Sequence, residues 1–514
     1  MSALGYLSLL LVLPAAGAVL LALVPRRLTG ALFSLALLAS GVTFLLSVQI
    51  LAGFDGSSGE MQFVERARWM PAVGIEYIVG IDGISLFLVL LTTLLMPIAI
   101  LASWSITDRV KEYLIFMLLL ETGMLGAFVA LDLFLFYVFW EVMLVPMYFL
   151  IGVWGGTRRI YAALKFVIYT MAGSLLMLVA IIYLAARHAE VQQALTFDLL
   201  KLYGLRLSLE QQMLLFGAFA LSFAIKVPLF PFHTWLPDAH VEAPTAGSVI
   251  LAGVLLKLGT YGFLRFAMPL FPDAAAAAAP VIIALAVIGI IYGAAVAMMQ
   301  SDIKKLVAYS SVSHLGFVML GLFAFNLQGV QGAIYQMISH GLSTGALFLL
   351  VGMIYDRRHT RLIDDFGGLW KVIPLFSVIL LVVMFSSVGL PGLNGFVGEF
   401  LILLGAFGVT PGWTAAAATG VILGAIYMLW MYRRVVLGPL TNAANEKLHD
   451  LDGRELLLLA PILILIVVMG VYPRPFLQRI EPAAALTLKK ITAAANPGAP
   501  PERVSRAERN DHGR

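Results

Sequence analysis

The sequence predicts an all-α polytopic membrane protein, and three observations support that prediction. Hydrophobic side chains make up 61% of the 514 residues and charged side chains only 12%. With a mean hydropathy of +0.96, this composition lies far outside that of soluble domains. The apolar residues gather in windows of about 20, the length that crosses a bilayer. Lys and Arg cluster in short segments between these windows, as membrane topology requires.

Composition also excludes several kinds of partner and cofactor. The net charge of +4 does not indicate nucleic-acid binding, because the basic residues form no basic domain. The chain has no cysteine, so it supplies no disulfide, no Cys-ligated iron–sulfur cluster and no Cys-bound zinc. We therefore expect no cofactor and no metal in this chain, and any redox chemistry would belong to other chains.

Fourteen spanning helices are predicted from the apolar windows. The first window has no basic residue before it and is followed by Arg26 and Arg27, which fits a retained helix better than a cleaved signal peptide. The segment from Pro482 onward is predicted to be surface-bound or disordered, because it mixes Ala, Pro and alternating charges. The windows lie near residues 4–24, 31–52, 81–103, 112–131, 133–154, 161–184, 211–230, 245–268, 279–299, 303–325, 330–355, 372–409, 413–436 and 455–473.

The loop charges predict that both termini face the periplasm of a bacterial inner membrane. The loops between the predicted helices alternate between basic ones and ones without basic residues. The loops near 270–278, 326–330 and 410–414 contain no Lys or Arg. Short cytoplasmic loops carry the excess of basic residues, so an even number of helices leaves both ends outside. The basic clusters that alternate with those loops are Arg26-Arg27, Arg109/Lys111, Arg158-Arg159, Lys304-Lys305, Arg357-Arg358/Arg361 and Arg433-Arg434.

Proline and glycine interrupt the seventh and twelfth predicted helices. The first interruption runs from Lys226 to Pro237 and the second from Gly389 to Gly395. Unpaired backbone is tolerated at membrane depth only inside protein or beside water. The breaks are five helices apart, an odd number, so two repeats that contain them must be inverted. Such paired breaks point to an ion pathway, and a pair of ordinary proline kinks is the alternative.

Ionisable residues lie inside the predicted helices, where a charge costs about 2.5–3.5 kcal/mol. Several such residues in neighbouring helices favour a polar conduction path, and static ion pairs between helices are the alternative. The histidines could also be hydrogen-bonded core residues, and no tight His/carboxylate spacing indicates a zinc site. The candidates are Glu141, Lys226, Lys257, His314, His340 and Glu399, with Glu121 and Lys165 as further ones.

The chemistry of these groups suits proton transfer. Glu141 and Lys226 are predicted to act as a switch in which Lys226 holds its proton when the two charges approach. When they separate, Lys226 can release that proton. A modest change of distance in a low-dielectric setting is enough to gate such a transfer.

Four segments closely resemble the antiporter-like subunits of respiratory complex I, the proton-pumping NADH:quinone oxidoreductase. They are residues 132–141, 224–244, 301–311 and 387–400. The resemblance covers predicted helices three to fourteen. The charged residue after the second break is Glu399, as in the subunit M family. The subunit L and N families typically carry Lys at this position. The subunit L family also has a C-terminal lateral helix, for which this sequence stops too soon.

The resemblance implies a fold and a domain organisation. Helices four to eight and nine to thirteen would form two inverted five-helix repeats with discontinuous helices 7 and 12. Residues 1–110 would then hold helices one to three, residues 111–270 the first repeat and residues 271–437 the second repeat. Residues 438–514 would hold helix fourteen and the C-terminal tail.

The resemblance also implies roles and partners. Glu141 and Lys226 would be the coupled pair of a first half-channel and Lys257 a bridging lysine. His314 and His340 would relay protons to Glu399, the exit of a second half-channel. The chain would be a proton-translocating enzyme subunit that contacts subunits L and N and the lipid bilayer. FMN, iron–sulfur clusters and quinone would lie in other subunits. A subunit of a multisubunit cation/proton antiporter is the alternative, and a passive membrane anchor would need no buried charges.

Overall fold

The fold is described from a computed structural model that covers residues 5–495. Twelve helices within this range are long and apolar enough to cross a membrane. The principal helices are α1 (Tyr6–Leu23), α2 (Thr29–Gly53), α3 (Ser85–Ala102), α4 (Val110–Val129), α5 (Leu133–Trp154), α6 (Arg159–Gln192), α7 (Leu209–Lys226), α8 (Trp235–Glu242), α9 (Thr245–Leu270), α10 (Pro272–Met298), α11 (Ile303–Leu322), α12 (Leu327–Arg358), α13 (Pro374–Val388), α14 (Asn394–Phe407), α15 (Pro411–Leu437), α16 (Gly453–Val471) and α17 (Arg474–Ala495).

The twelve span-length helices match all predicted windows except the seventh and the twelfth. Those two are the interrupted ones. The seventh window is α7, which ends at Lys226 and is followed after a non-helical segment by α8. The twelfth is divided into α13 and α14. The Pro- and Gly-rich segments therefore break the helix at both sites.

Local hydrogen bonds stabilise the two breaks. At the first, the indole Nε1 of Trp235 donates to the carbonyl of Ile225 at 2.8 Å, which satisfies a group at the end of α7. At the second, Gly389 ends α13 with φ +84°, a left-handed conformation that favours glycine. The side-chain amide of Asn394 donates to the carbonyl of Ser339 on α12 at 3.2 Å.

Helix burial places the centre of the molecule on α9 and α12. Both helices are buried along their whole apolar windows, whereas α2, α6, α15 and α16 bury well under half of theirs. The exposed faces of these outer helices carry large apolar side chains such as Leu45, Ile168 and Ile464, as a lipid-facing surface requires. Polar residues on α9 and α12 are thus shielded from lipid by protein.

A β-hairpin precedes α3 and was absent from the sequence-based prediction. Its strands, β1 (Gln62–Met70) and β2 (Ile75–Ile81), pair antiparallel. Asp82 follows β2 and accepts hydrogen bonds from the backbone of Ile84 and Ser85, where α3 begins. No residue of β1 is buried, whereas most of β2 is buried against the protein.

Disorder, one of the two alternatives predicted for the C-terminal segment, is wrong up to Ala495. The sequence predicts that residues from Pro482 onward are surface-bound or disordered, but the helix α17 continues to Ala495. Its buried face carries Ile480, Ala484, Leu488 and Ile491. The spacing of three and four residues places these side chains on one face of a helix, which packs against the protein. Residues 496–514 lie outside the described residues.

Candidate functional site

Two of the six predicted site residues meet between the central helices. The Nζ atom of Lys257 on α9 lies 2.7 Å from Nδ1 of His340 on α12. Lys257 has an exposed fraction of 0% and also donates to the carbonyl of Ala252. The segments Leu251–Leu255 and Phe263–Ala267 on either side of Lys257 are π-helical turns, which recur at functional sites.

His340 also lies next to a second histidine, His314. The rings of His340 and His314 have their centroids 5.7 Å apart. Beside them lies a cavity of about 10 Å³, near the smallest volume that holds one water molecule. Its lining is polar and includes Ser343 and Ser387. Both imidazoles are among the residues that line it.

The chain continues from His314 to Glu399. Nδ1 of His314 lies 2.9 Å from Oε1 of Glu399, and Nε2 of Gln336 donates to the same oxygen at 3.0 Å. Glu399 lies on α14, and a Cβ atom at Gly389 would come within 3.1 Å of its other oxygen. The second helix break therefore lies beside the carboxylate. Lys257, His340, His314 and Glu399 form one continuous polar group inside the protein.

Lys226 and Glu141 form a second group and make no direct contact. Lys226, the last residue of α7, is 1% exposed, and its Nζ atom has no hydrogen-bond partner. It lies over the rings of Trp140 at 5.1 Å and Phe166 at 5.5 Å, where the negative ring faces stabilise a cation. Oε1 of Glu141 is also without a partner, although the carboxylate still acts electrostatically on Lys226.

The helix that carries Glu141 is anchored at its start by Asp132. Oδ1 of Asp132 accepts hydrogen bonds from the backbone of Phe134 at 2.9 Å and Leu135 at 3.0 Å, which caps α5. Burial of this loop residue raises its pKa to about 6. The cap thus fixes the position of a helix whose ninth residue is Glu141.

Several polar residues of this region were not predicted from the sequence as site residues. His240, on α8, is 0% exposed and both of its ring nitrogens lack a partner. Lys304 was assigned to a loop cluster, but its side chain is buried. Gln336 carries no charge, so a search for ionisable residues inside the helices did not find it, although a polar amide in an apolar window is itself a signal. The signal for His240 was its place in the resembling segment 224–244.

The two further candidates from the sequence lie apart from this polar group. Glu121 is fully buried on α4, and both of its carboxylate oxygens lack a partner. Lys165 on α6 forms an ion pair of 2.8 Å with Asp238. In residues 5–495, no group of three or more His, Asp or Glu is placed to hold a metal ion.

Two family models match most of the chain. Residues 130–426 match the family described as "NADH:quinone oxidoreductase/Mrp antiporter, TM". Residues 29–127 match "NADH-ubiquinone oxidoreductase chain 4, amino terminus". The first match contains all six predicted site residues.

Known proteins and solved structures are similar to this chain over almost its whole length. The NADH-quinone oxidoreductase subunit M of Rhodobacter capsulatus is 50% identical over 491 residues, covering 93% of this chain and 95% of the relative. A chain of respiratory complex I from Thermus thermophilus superimposes with a TM-score of 0.85 at 34% identity, and the match covers 94% of this chain and 99% of that one. A chain of the Mrp complex from Dietzia shares the fold, with a TM-score of 0.80 at 22% identity. That match covers 95% of this chain and 99% of the Dietzia chain.

Proposed function

The chain belongs to the NADH-quinone oxidoreductase subunit M family, and from that premise we propose that its six buried residues carry protons across the membrane. It is a multi-pass, proton-translocating membrane subunit of a respiratory enzyme complex. The proposed path runs through Glu141, Lys226, Lys257, His340, His314 and Glu399. The observation that supports it best is the continuous polar group from Lys257 to Glu399 in the fully buried centre of the protein.

The geometry suits stepwise proton transfer in the second half of the path, the proposed relay of Lys257, His340, His314 and Glu399. A proton on Nζ of Lys257 has an acceptor 2.7 Å away in Nδ1 of His340. Each imidazole can accept a proton at one nitrogen and release another from the second nitrogen. His314 then faces Oε1 of Glu399 at 2.9 Å. Glu399 would release the proton toward the break at Gly389, which lies beside its other carboxylate oxygen.

The first half of the path would work as an electrostatic switch. Lys226 is not in contact with a carboxylate here, so its charge is stabilised only by aromatic rings and by Glu141 at longer range. Closer approach of Glu141 would stabilise the protonated lysine, and separation would favour release of the proton. In the proposed switch, this arrangement would be the separated state.

We also propose fourteen spans and two inverted repeats. The twelve span-length helices, together with α7 and the divided pair α13/α14, make up that number. Residues 111–270 would form the first repeat and 271–437 the second, flanked by 1–110 and 438–514. The matching breaks in α7/α8 and α13/α14 support this symmetry.

The remaining components of the reaction would lie in other chains. The partners are other membrane subunits of the complex, and we propose that subunits L and N are among them. FMN, the iron–sulfur clusters and the quinone site would belong to other subunits, since this chain has no cysteine to ligate a cluster. The antiporter alternative is less supported, because the Mrp chain is 22% identical and the subunit M relative 50%.

The proposed path is tested by changing the charge of Glu141 in the assembled complex. Glu141→Gln keeps the shape of the side chain but removes the charge that acts on Lys226, so proton uptake should collapse while assembly survives. Glu141→Asp should be milder, because it keeps the charge. Lys226→Ala should behave like Glu141→Gln. The exposed Glu60 provides the matched control, Glu60→Gln.

The measurements are the amount of assembled complex on native gels, NADH:quinone activity and NADH-driven proton uptake in membrane vesicles. In a tightly coupled complex, a blocked path should also depress NADH oxidation. Normal assembly with collapsed uptake in the Glu141→Gln and Lys226→Ala variants supports the path. Wild-type proton uptake by Glu141→Gln would contradict it, whereas reduced assembly alone would indicate a structural ion pair.

A further inference from the structure

A surface cavity of about 860 Å³ lies on the side of the molecule opposite the basic loops. Its walls are the last turn of α6, the segment that leads from α6 to α7, and the tip of the hairpin of β1 and β2. The proposed topology makes this side periplasmic. None of the six residues of the proposed proton path lines the cavity. The charged and imidazole side chains in its walls are Arg68, Glu76, His188, Lys201 and Arg206.

Basic residues are unusual on this side of the protein. Of the segments that join helices here, only 53–80 and 185–210 contain Lys or Arg, and both segments line the cavity. The excess of Lys and Arg normally belongs to cytoplasmic loops, so membrane topology does not explain these residues. The five residues are Arg66, Arg68, Arg187, Lys201 and Arg206.

Carboxylate partners account for three of the five basic residues. These pairs are Arg66 with Asp198 and Glu76, Lys201 with Asp198, and Arg187 with Glu190. Within residues 5–495, Arg68 and Arg206 have neither a carboxylate nor a hydrogen-bond partner, and both line the cavity. Glu76, the acid in the walls, already lies 2.9 Å from Arg66. The cavity therefore carries an excess of positive charge.

His188 adds a buried polar group to the same wall. Its residue exposure is 8%, and its Nδ1 atom lies 2.8 Å from the carbonyl oxygen of Ala194. Because Nδ1 bonds inward, Nε2 is the ring nitrogen left for the cavity. A protonated imidazole donates from both nitrogens, so an anion in the cavity would accept from Nε2. With the two unpaired arginines, this wall favours a phosphate group, whose oxygens match the guanidinium fork.

The cavity lies at the depth of lipid headgroups. His188 is four residues beyond the apolar window 161–184, which is about 6 Å along the axis of α6. Arg206 is five residues before the apolar window 211–230. The headgroup layer occupies roughly 5–8 Å on each side of the hydrocarbon core. Apolar side chains lie beside the charges, since Val191 is 54% exposed and Leu195 is 40% exposed. These surroundings fit an amphipathic ligand better than a free phosphate ion.

We propose that this cavity binds the headgroup of an anionic phospholipid of the periplasmic leaflet, with Arg68 and Arg206 holding the phosphate. Lys201 and His188 would add positive charge beside it, and Val191 would contact the glycerol and the first acyl carbons. The excess of positive charge selects phosphatidylglycerol over zwitterionic phosphatidylethanolamine, whose ammonium group it repels. The bound headgroup would join the hairpin tip to the segment between α6 and α7. This site is independent of the proton path.

A photoactivatable phosphatidylglycerol, with its reactive group near the headgroup, tests the site in the purified and reconstituted complex. Irradiation followed by peptide mapping should place the label in residues 53–80 or 185–210. Excess phosphatidylglycerol should displace the probe, whereas phosphatidylethanolamine and inorganic phosphate should not.

Three results of this displacement series would overturn the proposal. Equal displacement by phosphatidylethanolamine would mean that the net charge of the lipid is irrelevant. Equal displacement by inorganic phosphate would mean that the cavity is a site for a free anion. Absence of label from both segments is the result expected if a neighbouring subunit fills the cavity.

The double variant Arg68→Gln/Arg206→Gln removes both unpaired guanidinium groups. We expect labelling of the two segments to fall about tenfold or more, because each charge-assisted hydrogen bond to a phosphate contributes about that factor. Arg187→Gln/Lys489→Gln is the matched control, because it removes the same charge from residues that do not line the cavity. Its labelling should equal that of the wild type. Wild-type labelling of Arg68→Gln/Arg206→Gln would contradict the proposal. If that variant does not assemble, the displacement series in the wild-type complex decides.

Discussion

Lys257 and His340 are joined by a 2.7 Å hydrogen bond across α9 and α12. The two helices can approach this closely because glycines face each other beside the pair. A Cβ atom at Gly341 would come within 2.8 Å of the carbonyl oxygen of Gly253 and within 2.6 Å of Leu91. The link between two titratable side chains therefore depends on the absence of side chains next to them.

Gly341→Val should separate the two helices and break the relay. Overpacking of a tight interface costs about 1–3 kcal/mol, and any shift of α12 lengthens the contact between Lys257 and His340. We expect less assembled complex on native gels and loss of proton uptake in what assembles. Gly41→Val on α2 is the control, because a Cβ atom at Gly41 meets no neighbour within 4 Å. Unchanged proton uptake by Gly341→Val would argue against the role of this contact.

Gln336→Leu should weaken the last step of the relay. It removes the donor that holds Oε1 of Glu399 at 3.0 Å, and a hydrogen bond to a charged group contributes about 1.5–3 kcal/mol. If that energy positions Glu399 for transfer, proton uptake should fall by about tenfold or more, since 1.4 kcal/mol corresponds to a factor of ten. Assembly should be preserved, because Leu has a similar volume.

The control for this variant is Gln192→Leu, at an exposed position at the end of α6. Proton uptake and NADH oxidation are compared at equal amounts of assembled complex. If Gln336→Leu and Gln192→Leu pump at the same rate, Gln336 only fills space beside Glu399.

The buried ion pair between Asp82 and Arg265 should stabilise the junction of the hairpin with α9. Their side chains meet at 2.5 Å and are almost fully buried, and Arg265 also donates to the hydroxyl of Tyr261 at 3.2 Å. Removal of one partner leaves an uncompensated buried charge, which costs about 3–5 kcal/mol. Asp82→Asn and Arg265→Gln should each lower the temperature at which the complex dissociates.

The double variant should cost less than the sum of the two single variants, because neither charge is then left alone. Arg187→Gln breaks the exposed pair with Glu190 and should cost less than about 1 kcal/mol. Thermal dissociation followed on native gels measures all four. Additive effects of Asp82→Asn and Arg265→Gln would mean that the pair does not act as a unit.

Both termini should face the periplasm. The reason is the even number of proposed spans combined with basic loops on the cytoplasmic side. Reporter fusions at residue 3 and near residue 500 should give periplasmic signals, and a fusion in the loop of Arg158 and Arg159 should give a cytoplasmic one. A cytoplasmic signal at either terminus would overturn the topology.

The sequence by itself determined the membrane class, the positions of the apolar helices and the two breaks. Hydropathy is a property of each window, so a run of about 20 apolar residues is recognised without knowledge of its neighbours. The Pro- and Gly-rich segments after Lys226 and at Gly389 act on their own backbone, and they end α7 and α13 as predicted. Charged residues inside such windows also stand out locally, which is how Glu141, Lys226 and Glu399 were found.

The tertiary structure alone decided which of those residues meet. Helical spacing assigns a side chain to a face, but the partner depends on which helix packs there and how closely. His340 meets Lys257, 83 positions away, because glycines let α9 and α12 touch. Lys304 was predicted in a loop and instead turns toward the carbonyls that end α8, and α17 is ordered by packing that its composition did not reveal. These outcomes depend on long-range contacts, for which a local pattern carries no information.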